Sequence, residues 1–260
     1  MYPILLQIGD FILASWHVFF VLGAFAAWFA LQAIRSVVAP ELSASLIDRI
    51  FVLLYLTGYF GARIFSIVTE DNIQSIAEFF TQLVSFGAMT LYGGIIAVAV
   101  VLIVFARQKQ LTILRLATLF GAPGLIAIGV GRIGCFLNGD DFGKAISDPS
   151  HPPAWAVRFP NLDDGIYRYP VQLYEAAMGI VIGLLLLLYL KKAKTHLSIA
   201  GDISVVTYTV GRFVLEYYRG DERGQFLGTS LSMSQGISLV LLSTWVVYRI
   251  KGQSRLKVNQ

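Results

Sequence analysis

Seven apolar stretches, each of roughly twenty residues, follow one another along this chain, and that length carries a helix across the hydrocarbon core of a bilayer. They lie at about Ile12–Ala33, Ile47–Val68, Met89–Ala106, Leu116–Cys135, Val171–Leu190, Gly201–Tyr218 and Leu231–Ile250. Lipid offers no partner to backbone N–H and C=O groups, so a span of this kind must be helical. Composition agrees: 14% of the 260 residues are charged, against about 25% in an average soluble domain. The expected fold is an all-α membrane protein, one polytopic domain over residues 1–260, with no separate soluble domain. A single cysteine, Cys135, excludes an intrachain disulfide framework. No Lys or Arg precedes the first apolar run, so no cleavable leader is expected.

Basic residues set the orientation. With the N-terminus outside, the inner segments hold Arg35, Arg49, Arg107, Lys109, Arg115, Lys191, Lys192, Lys194, Arg249, Lys251, Arg255 and Lys257. The outer loops then hold Lys144, Arg158, Arg168, Arg219 and Arg223, together with most of the acids. The formal charge of +4 is therefore a topology signal and not a nucleic-acid footprint. Seven crossings place the C-terminus in the cytoplasm.

Two segments outside the spans carry information. Asp71–Ser85 has Ile73, Ile76, Phe79, Phe80 and Leu83 at helical spacing, which predicts a helix lying at the outer interface. Residues 139–170 form an outer loop with many prolines and glycines and no helical period. Loops of that length usually serve a function.

Three arginines fall within spans or at their outer ends: Arg63 in GARIF, Arg132 in VGRIGCFLNGDDFG and Arg212 in VGRFVLEYYR. An arginine there costs several kcal/mol unless it is paired, hydrated or snorkelling. Snorkelling accounts for one such residue, and Glu216 stands one turn after Arg212. Three together suit an anion site better, because guanidinium forks bind phosphate bidentately and stay charged when dehydrated. The anion nearest to hand is a phospholipid phosphate. Acid–base groups are few. His196 belongs to a basic inner run and His151 to the outer loop. His17 in the first span fits a structural hydrogen-bonding role or a catalytic one. Tyr92 fits the aromatic belt or a site, and Gly93 and Gly94 after it predict a close approach by some neighbour. No metal-ligand spacing, phosphate loop or cofactor motif is present, and no cofactor is expected.

GRIGCFLNGDDFG resembles the signature of the prolipoprotein diacylglyceryl transferases, Gly-Arg-x-Gly-Asn-Phe-x-Asn-Gly-Glu-x-x-Gly. GARIF (Gly61–Phe65), YGGIIAV (Tyr92–Val98), WAVRFP (Trp155–Pro160), YPVQLYEA (Tyr169–Ala176), GRFVLEYYR (Gly211–Arg219) and LSMSQ (Leu231–Gln235) follow in the family's order, so the resemblance covers nearly the whole chain. It implies an enzyme of the bacterial inner (cytoplasmic) membrane with its active site toward the outer leaflet. Such an enzyme moves diacylglyceryl from phosphatidylglycerol to the lipobox cysteine thiol of a preprolipoprotein. A thioether forms and glycerol phosphate leaves. The implied partners are phosphatidylglycerol, the precursor and membrane lipid, with no nucleic acid. By the same resemblance, Arg132 and Arg212 clamp the phosphate. Asn138, Asp140 and Gly143 shape the site, with Tyr208 and Glu216 one turn either side of Arg212. Gln172, Glu175, Arg63, Gly93, Gly94 and Arg219 complete the substrate-binding set.

The departures bear on the base. The family's His-Gly-Gly is Tyr92-Gly93-Gly94 here, its later His-Pro is Tyr169-Pro170, and its Trp-Tyr-Gly in the first helix is Trp16-His17-Val18. The signature's first Asn is Cys135, and its Glu is Asp140. A histidine has become tyrosine and a tyrosine histidine, so the imidazole at His17 stands in for the family base if both positions line one cavity. Cys135 reads as a small filler in place of an amide. Two further readings stay open: the same lipid clamp with another acceptor, such as a small thiol, an alcohol or a lipid, and a phospholipid- or anion-binding membrane protein without chemistry.

Overall fold

The structure is a computed structural model and describes residues 1–9, 11–70, 75–84, 91–193, 195–221 and 224–258. Eight α-helices stand among them: α1 (Ser15–Val38), α2 (Ala44–Glu70), α3 (Ile76–Val84), α4 (Leu91–Lys109), α5 (Ile113–Asn138), α6 (Val171–Lys192), α7 (Ser198–Leu215) and α8 (Met233–Val258). Every expected span has a helix within it. Four of them, Ser15–Val38, Ala44–Val68, Ile113–Asn138 and Val171–Lys192, are long and apolar enough to cross a membrane by length and composition. The molecule is a mostly helical, multi-pass membrane protein.

Two small hairpins interrupt the all-helical expectation. β1 (Ile4–Ile8) pairs antiparallel with β2 (Phe11–Ala14), and β3 (Val157–Arg158) with β4 (Tyr167–Arg168). The first span therefore starts at Ser15, not at Ile12. An apolar run is as compatible with a strand as with a helix, and Gly9, at φ +57°, ends the first of two such runs. The sixth span likewise ends in a 3-10 turn over Glu216–Tyr218.

The chain separates into two compact units, Arg35–Leu116 and Met1–Ile34 with Ala117–Gln260. In the first unit, Ser43 caps α2 by accepting from the Leu46 N–H at 3.2 Å. α2 and α4 cross where glycines remove side chains: a Cβ on Gly93 would lie 2.1 Å from the Gly61 carbonyl oxygen, and one on Gly94 3.0 Å from that of Gly58. The expected interfacial helix Asp71–Ser85 is represented by α3, Ile76–Val84; residues 71–74 and 85 lie outside the described residues. Ile76 and Phe80 are exposed on it.

In the second unit, α5 is the hub, and again glycines let neighbours in. Gly23 of α1 approaches Ala127, Gly134 meets the first turn of α1 at Trp16 and Phe19, Gly129 and Gly179 bring α5 and α6 together, and Gly121 and Gly201 do the same for α7. α8 is fastened to α7 by Asp202, which accepts from Trp245 Nε1 at 3.0 Å and pairs with Arg249 Nε at 2.9 Å.

Gly93→Ala would press a methyl into the Gly61 carbonyl, and overpacking of this kind costs about 1–3 kcal/mol. Nothing stands within 4 Å of a Cβ on Gly124. Thermal unfolding in detergent micelles is expected to show a lowered Tm for Gly93→Ala and a nearly unchanged one for Gly124→Ala.

Candidate functional site

The site is built at the C-terminal end of α5. Gly139 ends the helix in the left-handed conformation, φ +86°. The Asp140 N–H donates to the Cys135 carbonyl (3.1 Å) and the Gly139 N–H to that of Phe136 (3.3 Å), which is the Schellman arrangement. Asp141 follows at φ +60°. The chain then runs antiparallel to Tyr218–Gly220, with Lys144 N–H to Tyr218 C=O at 2.8 Å and Gly220 N–H to Phe142 C=O at 3.0 Å. The crossing needs two glycines: a Cβ on Gly143 would lie 2.3 Å from the Tyr169 carbonyl oxygen, and one on Gly220 2.5 Å from that of Gly143. It sets Arg219 against Asp141.

Helix α6 starts after Pro170 and presents Gln172 and Glu175 on successive turns. Gln172 Nε2 donates to the Asp140 carbonyl at 2.5 Å. Glu175 is the centre of the site. Its Oε2 lies 2.6 Å from Arg132 Nε of α5, and its Oε1 2.8 Å from Arg212 Nη1 of α7. Arg212 continues to Glu216 Oε2 at 3.0 Å and donates to Ser234 Oγ at 3.1 Å. Arg132 continues to Asp141, whose other oxygen takes Arg219, and Arg219 closes on Asp221 at 2.8 Å. Cation and anion alternate along the whole run: Glu216, Arg212, Glu175, Arg132, Asp141, Arg219, Asp221. Pairing on both sides is what makes burial tolerable, since each ion taken from water costs several kcal/mol. Exposure varies along the run: the side chains of Glu175 and Arg219 are 4% and 1% exposed, those of Arg132 and Asp141 18% and 26%.

Ser234 is placed by a capping box. Ser232 Oγ accepts from the Gln235 N–H at 3.2 Å, and Gln235 Oε1 accepts from the Ser232 N–H at 3.0 Å, which fixes the start of α8 under Arg212. Tyr208, one turn before Arg212, stands close enough to feel Arg212, Arg132 and Glu175. Trp155, Tyr169 and Tyr218 pack with tilted rings beside the crossing, with centroids 5.2 Å and 5.4 Å apart. Cys135 Sγ accepts weakly from Arg132 Nη1 at 3.9 Å.

The expected site residues divide. Arg132, Arg212, Glu175, Glu216 and Arg219 share the ion-pair run, and Asn138, Asp140, Gly143, Gln172 and Tyr208 adjoin it. Asp140 carries its carboxylate to the Asn138 amide, and the next residue, Asp141, reaches the arginines. His17 stacks on Trp16, centroids 4.0 Å apart, in the turn of α1 that packs on Gly134. Arg63 belongs to the other unit, where its Nε and Nη2 donate to the Gln82 carbonyl in the last turn of α3 (3.0 and 2.8 Å). The close approach that Gly93 and Gly94 predict is made by α2. Tyr92 lies in α4, and its side chain is outside the described residues. Asp141, Asp221 and Ser234 were not among the expected site residues; the S-x-x-Q spacing at Ser232–Gln235 was the available signal for Ser234.

Burial alone would raise the Asp141 carboxyl. The guanidiniums of Arg132, then Arg219 and Arg212, outweigh it and hold the group below the usual carboxylate range. A depressed folded value adds stability above the unfolded pKa, about 4, and the stability is lost as pH falls through the folded value. Wild type is therefore expected to melt higher than Asp141→Asn at pH 7, with the gap narrowing as pH falls below the unfolded value of about 4. A gap that does not change with pH contradicts the ion pair.

A family model described as prolipoprotein diacylglyceryl transferase matches residues 3–250. Among similar proteins, the phosphatidylglycerol--prolipoprotein diacylglyceryl transferase of Wolbachia pipientis subsp. Culex pipiens is 27% identical over 247 residues, 92% of this chain and 90% of that one. The protein of the same name from Streptococcus uberis is 27% identical, covering 95% and 94%. The Bordetella parapertussis protein of that name reaches 38% identity over 60% of this chain and 58% of its own. The chain belongs to the prolipoprotein diacylglyceryl transferase family.

Proposed function

We propose that this chain transfers diacylglyceryl from phosphatidylglycerol to the lipobox cysteine thiol of preprolipoproteins, forming a thioether and releasing glycerol phosphate. Family membership supplies the reaction class. The observation that carries the reading onto these residues is the pair of guanidiniums, Arg132 and Arg212, held side by side on the buried carboxylate of Glu175.

The chemistry needs such a pair. The lipid phosphate is a diester with one negative charge. Attack by sulfur on the glyceryl carbon breaks a C–O bond, forms C–S and leaves a phosphate monoester, so negative charge grows on the phosphate oxygens as the bond breaks. Guanidiniums fixed beforehand bind that state more strongly than the ground state, which is the condition for acceleration. The thiol proton must pass to a base. His17 and Tyr92 are the candidates, and tyrosine, with a pKa near 10, is a poor base at neutral pH unless strongly perturbed. In this reading the chain crosses the bacterial inner membrane seven times with its N-terminus outside. The end of α5 and residues 139–170 then face the outer leaflet, and α3 lies along the interface. The distribution of basic residues supports that orientation.

Purified protein, phosphatidylglycerol vesicles and a lipobox peptide with a free cysteine make the test, read by mass spectrometry. A diacylglyceryl mass gain on the peptide is expected, falling about 10²-fold or more in Arg132→Lys and Arg212→Lys, whose ammonium cannot replace the fork. His17→Ala is expected to abolish transfer while Tyr92→His is tolerated; a fully active His17→Ala removes the imidazole from the mechanism. Phosphatidylglycerol binding without a mass gain moves the activity to another acceptor.

A further inference from the structure

Two carboxylates bridge arginine pairs in the site, and they differ in one respect that matters for an incoming anion. Glu175 is buried on α6 between Arg132 and Arg212. Asp141 lies on the loop after α5, a quarter exposed, and gives one oxygen to Arg132 and the other to Arg219. We infer that the phosphate seats between Arg132 and Arg219, in the place that the Asp141 carboxylate occupies, so that Asp141 is a built-in competitor of the phosphate. The inference rests on the transferase reading given above and moves one half of its phosphate clamp from Arg212 to Arg219.

Three observations support exchange at this place. The first is charge. Among the described residues the run holds three arginines and four carboxylates. A phosphate added to the intact run meets an excess of negative charge, whereas one that replaces Asp141 leaves cation and anion alternating. The second is hydrogen bonding. Arg219 Nη1 is buried without an acceptor among the described residues, and Arg132 engages Nε and Nη1 in its ion pairs. The leaving phosphate monoester carries three non-bridging oxygens to a carboxylate's two, enough to reach a donor that Asp141 leaves unused. The third is access. Glu175 is 4% exposed on a helix, whereas Asp141 is 26% exposed and stands on a loop, so its carboxylate is the more accessible one to displace. The pair that grips the phosphate is then Arg132 with Arg219. Arg212 acts through Glu175, holding the Arg132 guanidinium in place.

The test compares wild type, Asp141→Asn and Asp141→Glu in the transfer assay, with KM for phosphatidylglycerol and inhibition by glycerol phosphate as readouts. Asp141→Asn keeps the shape and removes the competing charge, so it is expected to bind phosphate roughly tenfold more tightly, about one charge-assisted hydrogen bond. Asp141→Glu is expected to restore competition. Tightening for both molecules assigns the seat to the lipid headgroup; tightening for glycerol phosphate alone assigns it to the leaving phosphate. Unchanged or weaker binding of both in a folded Asp141→Asn overturns the inference while leaving the transferase reading intact. Wild type that neither transfers nor binds phosphatidylglycerol overturns both. If Asp141→Asn loses its melting transition, Arg219→Lys decides: glycerol phosphate inhibition weakened about tenfold supports the seat, and unchanged inhibition overturns it.

Discussion

Glu175 between two guanidiniums is the interaction on which the rest of the site depends. Arg132 on α5 and Arg212 on α7 carry like charges and sit in an apolar bundle. Without a shared anion they would repel, and each would have to be solvated separately. The carboxylate from α6 removes both difficulties at once. It also ties three helices together at one level, so the geometry of the guanidiniums is inherited from rigid elements and not from a loop. The remaining links follow outward from that centre: Glu216 and Ser234 orient Arg212, and Asp141, Arg219 and Asp221 carry the alternation to the loop edge.

Close helix packing makes the carboxylate reachable. Between apolar helices in lipid, association depends on backbones coming near one another. Gly129 and Gly179 let α5 and α6 approach until a Cβ would strike a carbonyl, and Gly121 and Gly201 let α5 and α7 approach until one would strike Ser204 or Thr118. At the outer end, Gly143 and Gly220 let two chain segments cross backbone to backbone. These glycines create no chemistry, but they set the spacing at which one glutamate spans two arginines. A side chain at Gly143 would also move the loop that carries Asp141.

Much of this was legible beforehand, for identifiable reasons. Long apolar runs placed the helices because bilayer thickness leaves little freedom. The arginines stood out because charge within such runs is costly. Ile12–Ala14 was counted into the first span because hydropathy does not distinguish a strand from a helix. Asp140 and Asp141 are adjacent, and which one faces the arginines is decided by the left-handed turn at Gly139 and Asp141, a tertiary matter. One partner of Arg63 is a backbone carbonyl nineteen positions away, which no side-chain pattern announces. Gly93 and Gly94 correctly signalled a close neighbour, but the sequence did not say that the neighbour was α2.

Coupling between Glu175 and its arginines holds the site together, and a double-mutant cycle measures it directly. Glu175→Gln, Arg132→Gln and the double variant would be compared with wild type by unfolding in detergent micelles. The double variant is predicted to be less destabilised than the two single losses together by about 1–3 kcal/mol, since removing both partners leaves no lone buried charge at that link. Losses that add to within about 0.5 kcal/mol would contradict it, because residues that do not interact are the ones whose effects simply add.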